Sequence, residues 1–172
     1  MATHDYLTNL PNRMLLEDRF VLAVARAERS GKKFGIVAID LDKFKLVNDA
    51  HGHPFGDKVL VEVAWRFSEA IRSSDTCARV GGDEFTVLAE GINNKKDLRR
   101  VMEKISQSMK PEISINGKQV ILTASMGASI YPNHGTQMEQ LMKAADIALY
   151  QVKDAYSGSK IFIDEQISWL KE

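Results

Sequence analysis

Two apolar, strand-like runs, Thr76 to Val80 and Phe85 to Ala89, are separated only by Gly81, Gly82, Asp83 and Glu84. So short a connection leaves the chain one economical course, a tight hairpin. Glycines suit such a turn because they tolerate positive φ. The pattern therefore predicts an antiparallel pair with two carboxylates at its tip. Exposed acids on a rigid turn attract hard cations such as Mg²⁺. The hairpin is thus a candidate place for phosphate chemistry as well as a fold element.

The flanking sequence extends this into a domain. Asn12 can cap a helix running to about Arg29, with Leu16, Phe20, Ala23, Val24 and Ala27 on one face. Phe34 to Leu41 reads as a buried strand carrying Asp40 near its end, and Asp42 to Gly56 as a polar, turn-rich stretch. Val59, Leu60, Val63, Ala64, Phe67, Ala70 and Ile71 predict an amphipathic helix. Another runs from about Lys95 to Met109, with Leu98, Val101, Met102, Ile105 and Met109 inward. Strands around Glu112 to Ile115 and Gln119 to Tyr131 are joined by Asn116-Gly117, a strong hairpin turn. A helix from Met138 to Lys153 and a strand from Lys160 to Ile163 complete the pattern. The expectation is a single α+β domain over residues 1–172: a central, mostly antiparallel five-stranded sheet flanked by helices.

Charge and cysteine content narrow the function. The 23 acidic and 23 basic residues cancel, so no global field draws the chain to nucleic acid or an anionic membrane. Cys77 is the single cysteine, which excludes an intrachain disulfide and a cysteine zinc site and suits a reducing cytoplasm. No apolar run approaches the ~20 residues of a membrane span, and no signal-peptide pattern opens the chain. The chain begins on structured-looking sequence, so a module of a larger protein is expected.

Asp40 ends an otherwise apolar strand and can project into a cleft. If that strand neighbours the hairpin, Asp40 and Asp83 converge, and converging carboxylates repel unless protonated or bridged by metal. Taken alone, Asp40 and Asp42 read equally as turn acids. Phe44 reads as core, Lys45 as a solvated lysine, Asn48 and Asp49 as cap or turn, and His53 as structural. His4, His51 and His134 read as surface or turn residues.

Together these residues spell more. Asp40-x-Asp42-x-Phe44-Lys45-x-x-Asn48-Asp49-x-x-Gly52-His53-x-x-Gly56-Asp57, followed by Gly81-Gly82-Asp83-Glu84-Phe85, resembles the signature of the GGDEF family, the diguanylate cyclases. Asp5-Tyr-Leu7-Thr8-Asn-Leu10-Pro11-Asn12-Arg13 is similar to the family's opening motif, and Ala145-Asp146-Ile-Ala148-Leu149-Tyr150-Gln-Val-Lys153 to its late helix. The resemblance implies a fold like the palm of nucleotide polymerases and cyclases, with a ferredoxin-like core. It implies synthesis of cyclic di-GMP from two GTP, with release of two pyrophosphates. By the same resemblance Asp40, the Leu41 carbonyl, Asp83 and Glu84 hold Mg²⁺, or Mn²⁺ in its place. Asp83 or Glu84 takes the proton of the attacking 3′-hydroxyl. Phe44, Lys45 and Lys153 bind phosphates, Asn48 and Asp57 read guanine, and His53 contacts substrate. Arg72 and Asp75 form an R-x-x-D product-inhibition site, with Arg99 or Arg100 as its second arginine and Arg79 at either site or structural. A homodimer is implied at the moment of catalysis, with a sensor or receiver domain in the parent protein and no nucleic-acid or membrane contact from this segment. A cytoplasmic location is implied, including the cytoplasmic part of a membrane-anchored protein. One stretch departs from the pattern: Ser157 stands where the family carries a phosphate-contacting arginine, with Lys160 nearby. If that contact is lost, the implied alternative is a catalytically weak GTP sensor or cyclic di-GMP receptor.

Overall fold

The computed structural model describes the backbone of residues 2–155 and 160–163, with side chains through residue 153. Helix α1, Arg13–Ser30, starts where Asn12 Oδ1 accepts the Leu15 N–H at 3.1 Å. It stops at Gly31, whose φ of +72° is accessible to glycine at little cost. Strand β1, Lys33–Leu41, follows, buried along nearly all its length.

Residues 42–56 are not the turn-rich stretch their polarity predicts. They hold helix α2, Phe44–His51, and the first turn of α3, His53–Ala70. Phe44 and Val47, one helical turn apart, bury the inner side of α2. Gly52, at φ +86°, makes the corner, and Pro54 sits where a helix needs no N–H donor. Strands β2, Thr76–Arg79, and β3, Glu84–Ile92, form the hairpin. Helix α4, Lys95–Ser108, is capped by Asn94.

Strand β4, Ile113–Ile115, and strand β5, Lys118–Val120, pair through Asn116-Gly117, both residues at positive φ. The apolar run expected as one strand from Gln119 to Tyr131 is therefore two. Its start belongs to this small separate sheet, and β6, Ala124–Tyr131, belongs to the main one. A single straight strand cannot pair with β4 and with β1. Helix α5, Met138–Ala155, and strand β7, Lys160–Ile163, follow.

The main sheet has the order β2-β3-β1-β6-β7. Its antiparallel part has four strands, and β7 adds a parallel pairing to β6. The side-chain alternation of β1 divides the core. Val37, Ile39 and Leu41 meet α2, α3 and α4 residues such as Val47, Phe67 and Met102, while Phe34, Ile36 and Ala38 meet α1 and α5 through Leu16, Phe20 and Leu141. By that alternation Asp40 falls on the α5 face. No helix among the described residues is long and apolar enough to cross a membrane.

Candidate active site

The register of the sheet brings the acids together. Asp40 of β1 lies opposite Glu84 of β3, and the Leu41 N–H donates to the Asp83 carbonyl at 3.4 Å. Asp83 thus stands beside Asp40 at the end of the central strand pair. Burial, then the negative charge of Asp40, pushes the Asp83 carboxyl above its ordinary range. Asp40 has one oxygen, Oδ1, buried without a partner. Its other oxygen, Oδ2, accepts from Lys153 Nζ at 2.5 Å. Lys153 arrives there because α5 lies directly on β6. A Cβ on Gly127 would come within 2.1 Å of the Leu149 nitrogen.

A third acid was not singled out from the sequence. Asp146, about two helix turns before Lys153, is raised by burial and then by the charges of Glu84 and Asp40, against Arg13. It lay within the late-helix motif, but its spacing alone pointed to no partner. Asp42 has the opposite fate. The hydroxyls of Thr123 and Ser125 donate to its two oxygens at 2.6 and 2.5 Å, so it ties the end of β1 to the start of β6, while Asp40 keeps one oxygen unpartnered.

These donors fit a hard divalent ion that completes its shell elsewhere. Among the described residues no three His, Cys, Asp or Glu side chains form a metal cluster. Two converging carboxylates, one with an unsatisfied buried oxygen, suit Mg²⁺, which is commonly held by one or two carboxylates plus water and substrate phosphates.

The glycines of the turn act otherwise than expected. Neither has positive φ; the described glycines that do are Gly31, Gly52, Gly91, Gly117 and Gly135. A Cβ on Gly81 would lie 2.9 Å from Glu84 Oε2, while one on Gly82 would meet nothing within 4 Å. The fold therefore does not require glycine at 82, and the open space over it is room for a ligand.

Beside the acids, α2 offers an N-terminus with no side-chain cap, where the Leu46 N–H turns back to the Lys43 carbonyl at 3.0 Å and the Phe44 and Lys45 amides lie ahead of it. Phe44 is buried, and Lys45, His53, Asp57 and Glu84 are exposed. Asn48 is half-buried and lies across Gly56, where a Cβ would come within 1.8 Å of its Oδ1. The Asp57 carboxylate is in water, so any penalty it sets against a wrong base needs the ligand itself to bury it. His134, expected as a surface or turn residue, lies in the turn after β6 but is buried there, and it accepts the Ile130 N–H on Nδ1 at 2.8 Å. Ser157 lies outside the described residues, as does the Lys160 side chain.

Three comparisons place this arrangement among known proteins. The family profile described as diguanylate cyclase, GGDEF domain, matches residues 2–159. The chain belongs to the GGDEF family. It is 40% identical over 168 residues to the bifunctional diguanylate cyclase/cyclic di-GMP phosphodiesterase MucR of Pseudomonas aeruginosa, covering 98% of this chain and 24% of that protein. It is 38% identical over 167 residues to the cyclic di-GMP phosphodiesterase NbdA of the same organism, covering 97% of this chain and 21% of that one. The chain thus spans a quarter or less of these two relatives. A solved structure comprising only the GGDEF domain of P. aeruginosa TpbB superposes with a TM-score of 0.89 at 36% identity, covering 95% of each chain.

Two further features of this GGDEF domain concern its arginines. Arg79, which the sequence left open between ligand contact and scaffold, is scaffold. Its Nε and Nη2 donate to the Gly82 carbonyl at 2.9 and 2.8 Å, and Nη1 meets both Asp5 oxygens at 3.1 Å. The acidic turn is thereby braced to the opening motif. Burial alone would raise the Asp5 carboxyl, but hydrogen bonds from Thr8 and Arg79 hold it below the usual range.

Arg72 and Asp75 meet in a closed pair. Asp75 accepts from the Arg72 backbone N–H, from its Nε and Nη2, and from the Glu90 N–H, and Arg72 Nη2 also reaches the Glu90 carbonyl. A cleft of about 690 Å³ opens on one side of this corner, with Arg19, Arg26, Lys32 and Lys33 along its wall. A smaller one of about 220 Å³ opens on the other, and there Arg100, not Arg99, joins Arg72.

Proposed function

We propose that this chain is a diguanylate cyclase domain of a larger signalling protein, acting on the cytoplasmic side where GTP is supplied. One observation carries the reading: Asp40 keeps a buried, unpartnered oxygen beside Asp83, whose carboxyl is raised by that neighbour. Two carboxylates are held together there with a single ammonium, that of Lys153, against them, so the pair is left short of positive charge, as suits a metal–triphosphate site. The α2 amides at Phe44 and Lys45, with Lys153, bind and orient the triphosphate, and Asn48 and Asp57 read guanine with His53 alongside. Asp40, Asp83, the Leu41 carbonyl and Glu84 would hold a pair of Mg²⁺ or Mn²⁺ ions, which when bound would supply Lewis-acid polarisation of the α-phosphate and lower the pKa of the attacking hydroxyl. Asp83 or Glu84 takes the proton of one GTP's 3′-hydroxyl as its oxygen bonds to the other's α-phosphorus. The bond from that phosphorus to pyrophosphate breaks, and a second, reciprocal step closes the ring. Each domain holds one GTP, so two copies must meet. Cyclic di-GMP binding at the Arg72–Asp75 corner, with Arg100, acts as the brake.

The test is turnover of GTP with Mg²⁺ by the purified chain, fused to a dimerising helix, with products separated by chromatography. Cyclic di-GMP and twice as much pyrophosphate are expected. Asp83→Ala is expected to cut turnover by at least about a hundredfold, the lower range for loss of a general base. Folded wild-type dimer without turnover would overturn the reading.

A second reading, a GTP sensor or cyclic di-GMP receptor without catalysis, is favoured by Ser157 in place of the family's arginine. The similarity to a relative named only as a phosphodiesterase also supports it. Calorimetry with GTP and with cyclic di-GMP, beside the turnover assay, separates the two.

A further inference from the structure

The two oxygens of Asp40 differ. Oδ1 is buried and unpartnered, while Oδ2 holds the Lys153 ammonium at 2.5 Å. That ammonium is delivered by the last turns of α5, whose seating on Gly127 leaves no room for a Cβ. The helix that carries it is therefore held tightly against the sheet. The lysine side chain is 38% exposed and Asp40 18%, so a path to water remains open to it.

We propose that Lys153 is a stand-in cation. It takes the metal's place at Asp40 while the nucleotide is absent and yields it when a triphosphate arrives to receive the ammonium. The inference rests on the metal-site reading above. A divalent ion taken up by the unpartnered Oδ1 would stand within a carboxylate's width of the ammonium on Oδ2, and like charges at that separation repel. An ion arriving alone must expel Lys153 into water with nothing to replace its partner. An ion arriving with a triphosphate brings the phosphate oxygens that take the ammonium over. Metal and nucleotide binding are then positively coupled, and by the same factor in each direction. The domain admits metal together with its nucleotide instead of holding it beforehand.

Mn²⁺ affinity, measured by calorimetry on nucleotide-free protein, tests this without turnover. Lys153→Met is expected to bind Mn²⁺ roughly three- to tenfold more tightly than wild type, the value of a partly exposed charge-assisted pair. Lys153→Arg keeps the cation and is expected to match wild type. A non-hydrolysable GTP analogue is expected to raise Mn²⁺ affinity by a larger factor in wild type than in Lys153→Met. Equal affinity in wild type and Lys153→Met overturns the stand-in role while leaving the metal site in place. Absence of Mn²⁺ binding in every protein, each shown folded by its melting curve, overturns the metal site and this inference with it.

Discussion

Asp40 and Asp75 are both acids at the margin of the sheet, each paired to a cation, and they could hardly be more different. The Asp75 side chain is fully buried and both its oxygens are filled, by three donors of Arg72 and the Glu90 N–H. Asp40 is partly exposed, and one of its oxygens, buried, has nothing. A carboxylate surrounded by donors is part of the fold's own hydrogen bonding. One left short is completed by something the fold does not contain. The comparison also bears on the proposed brake. Any ligand that uses Asp75 as an acceptor must first displace Arg72, so occupation of that corner includes breaking an internal ion pair.

The sharpest way to break the comparison is to remove the saturated acid. Asp75→Ala leaves the Arg72 and Glu90 amides without their acceptor and is expected to cost about 2–4 kcal/mol in urea unfolding. A loss near zero would mean that Asp75 does not hold the corner. Glycines give the next contrast. Gly127→Ala drives a methyl against the backbone of α5 and is expected to cost about 1–3 kcal/mol. Gly82→Ala meets open space, so its melting curve should match wild type while its GTP affinity falls. If Gly82→Ala instead unfolds the protein, the glycine serves the turn and not the ligand.

Arg72→Ala is expected to cost only about 1 kcal/mol, because Arg72 is half exposed and two backbone N–H groups still serve Asp75. Its sensitivity to added cyclic di-GMP should fall further than its stability. The smallest effect is in pH. The raised carboxyl of Asp83 means that folding gains from its protonated form, a gain present below the model-peptide value of 3.8 and lost as pH rises through the folded value. Asp83→Asn should therefore melt above wild type near neutrality, with the gap closing in acid. The lowered carboxyl of Asp5 has the opposite sign, with stability present above 3.8 and lost as pH falls through the folded value. Asp5→Asn should melt below wild type near neutrality, again converging in acid. Thermal scans across pH that show the same sign for both variants would contradict the contrast drawn between a strained acid and a braced one.

Much of this was legible beforehand. Helices with apolar faces at helical spacing, such as Leu98, Met102 and Ile105, announced themselves because one buried stripe is enough to specify a helix. The hairpin between Thr76 and Ala89 did so because short connections leave few alternatives. Helix α2 was not legible. Only Phe44 and Val47 are buried in it, and polar residues between them read as turn. The break between β5 and β6 was hidden because an apolar run does not say which sheet it serves. At the site, Asp40 and Asp83 could be named as candidates, but Asp146 could not. Its relation to Glu84 and Asp40 exists only once α5 is laid on the sheet.

By itself the sequence determined the alternation of strands and helices and the hairpin with acids at its tip. These are local patterns, and local patterns survive in one dimension. The tertiary structure alone decided which acid is satisfied and which is not. Asp42, two residues from Asp40, is filled by Thr123 and Ser125, and Asp75 by its own neighbours. Arg79 is drawn to Asp5 and Gly82. Lys153 is brought across to Asp40. Hydrogen bonds and charges act over a few ångströms of space, whatever the distance along the chain, so the state of each acid is set by the strands and helices folded against it.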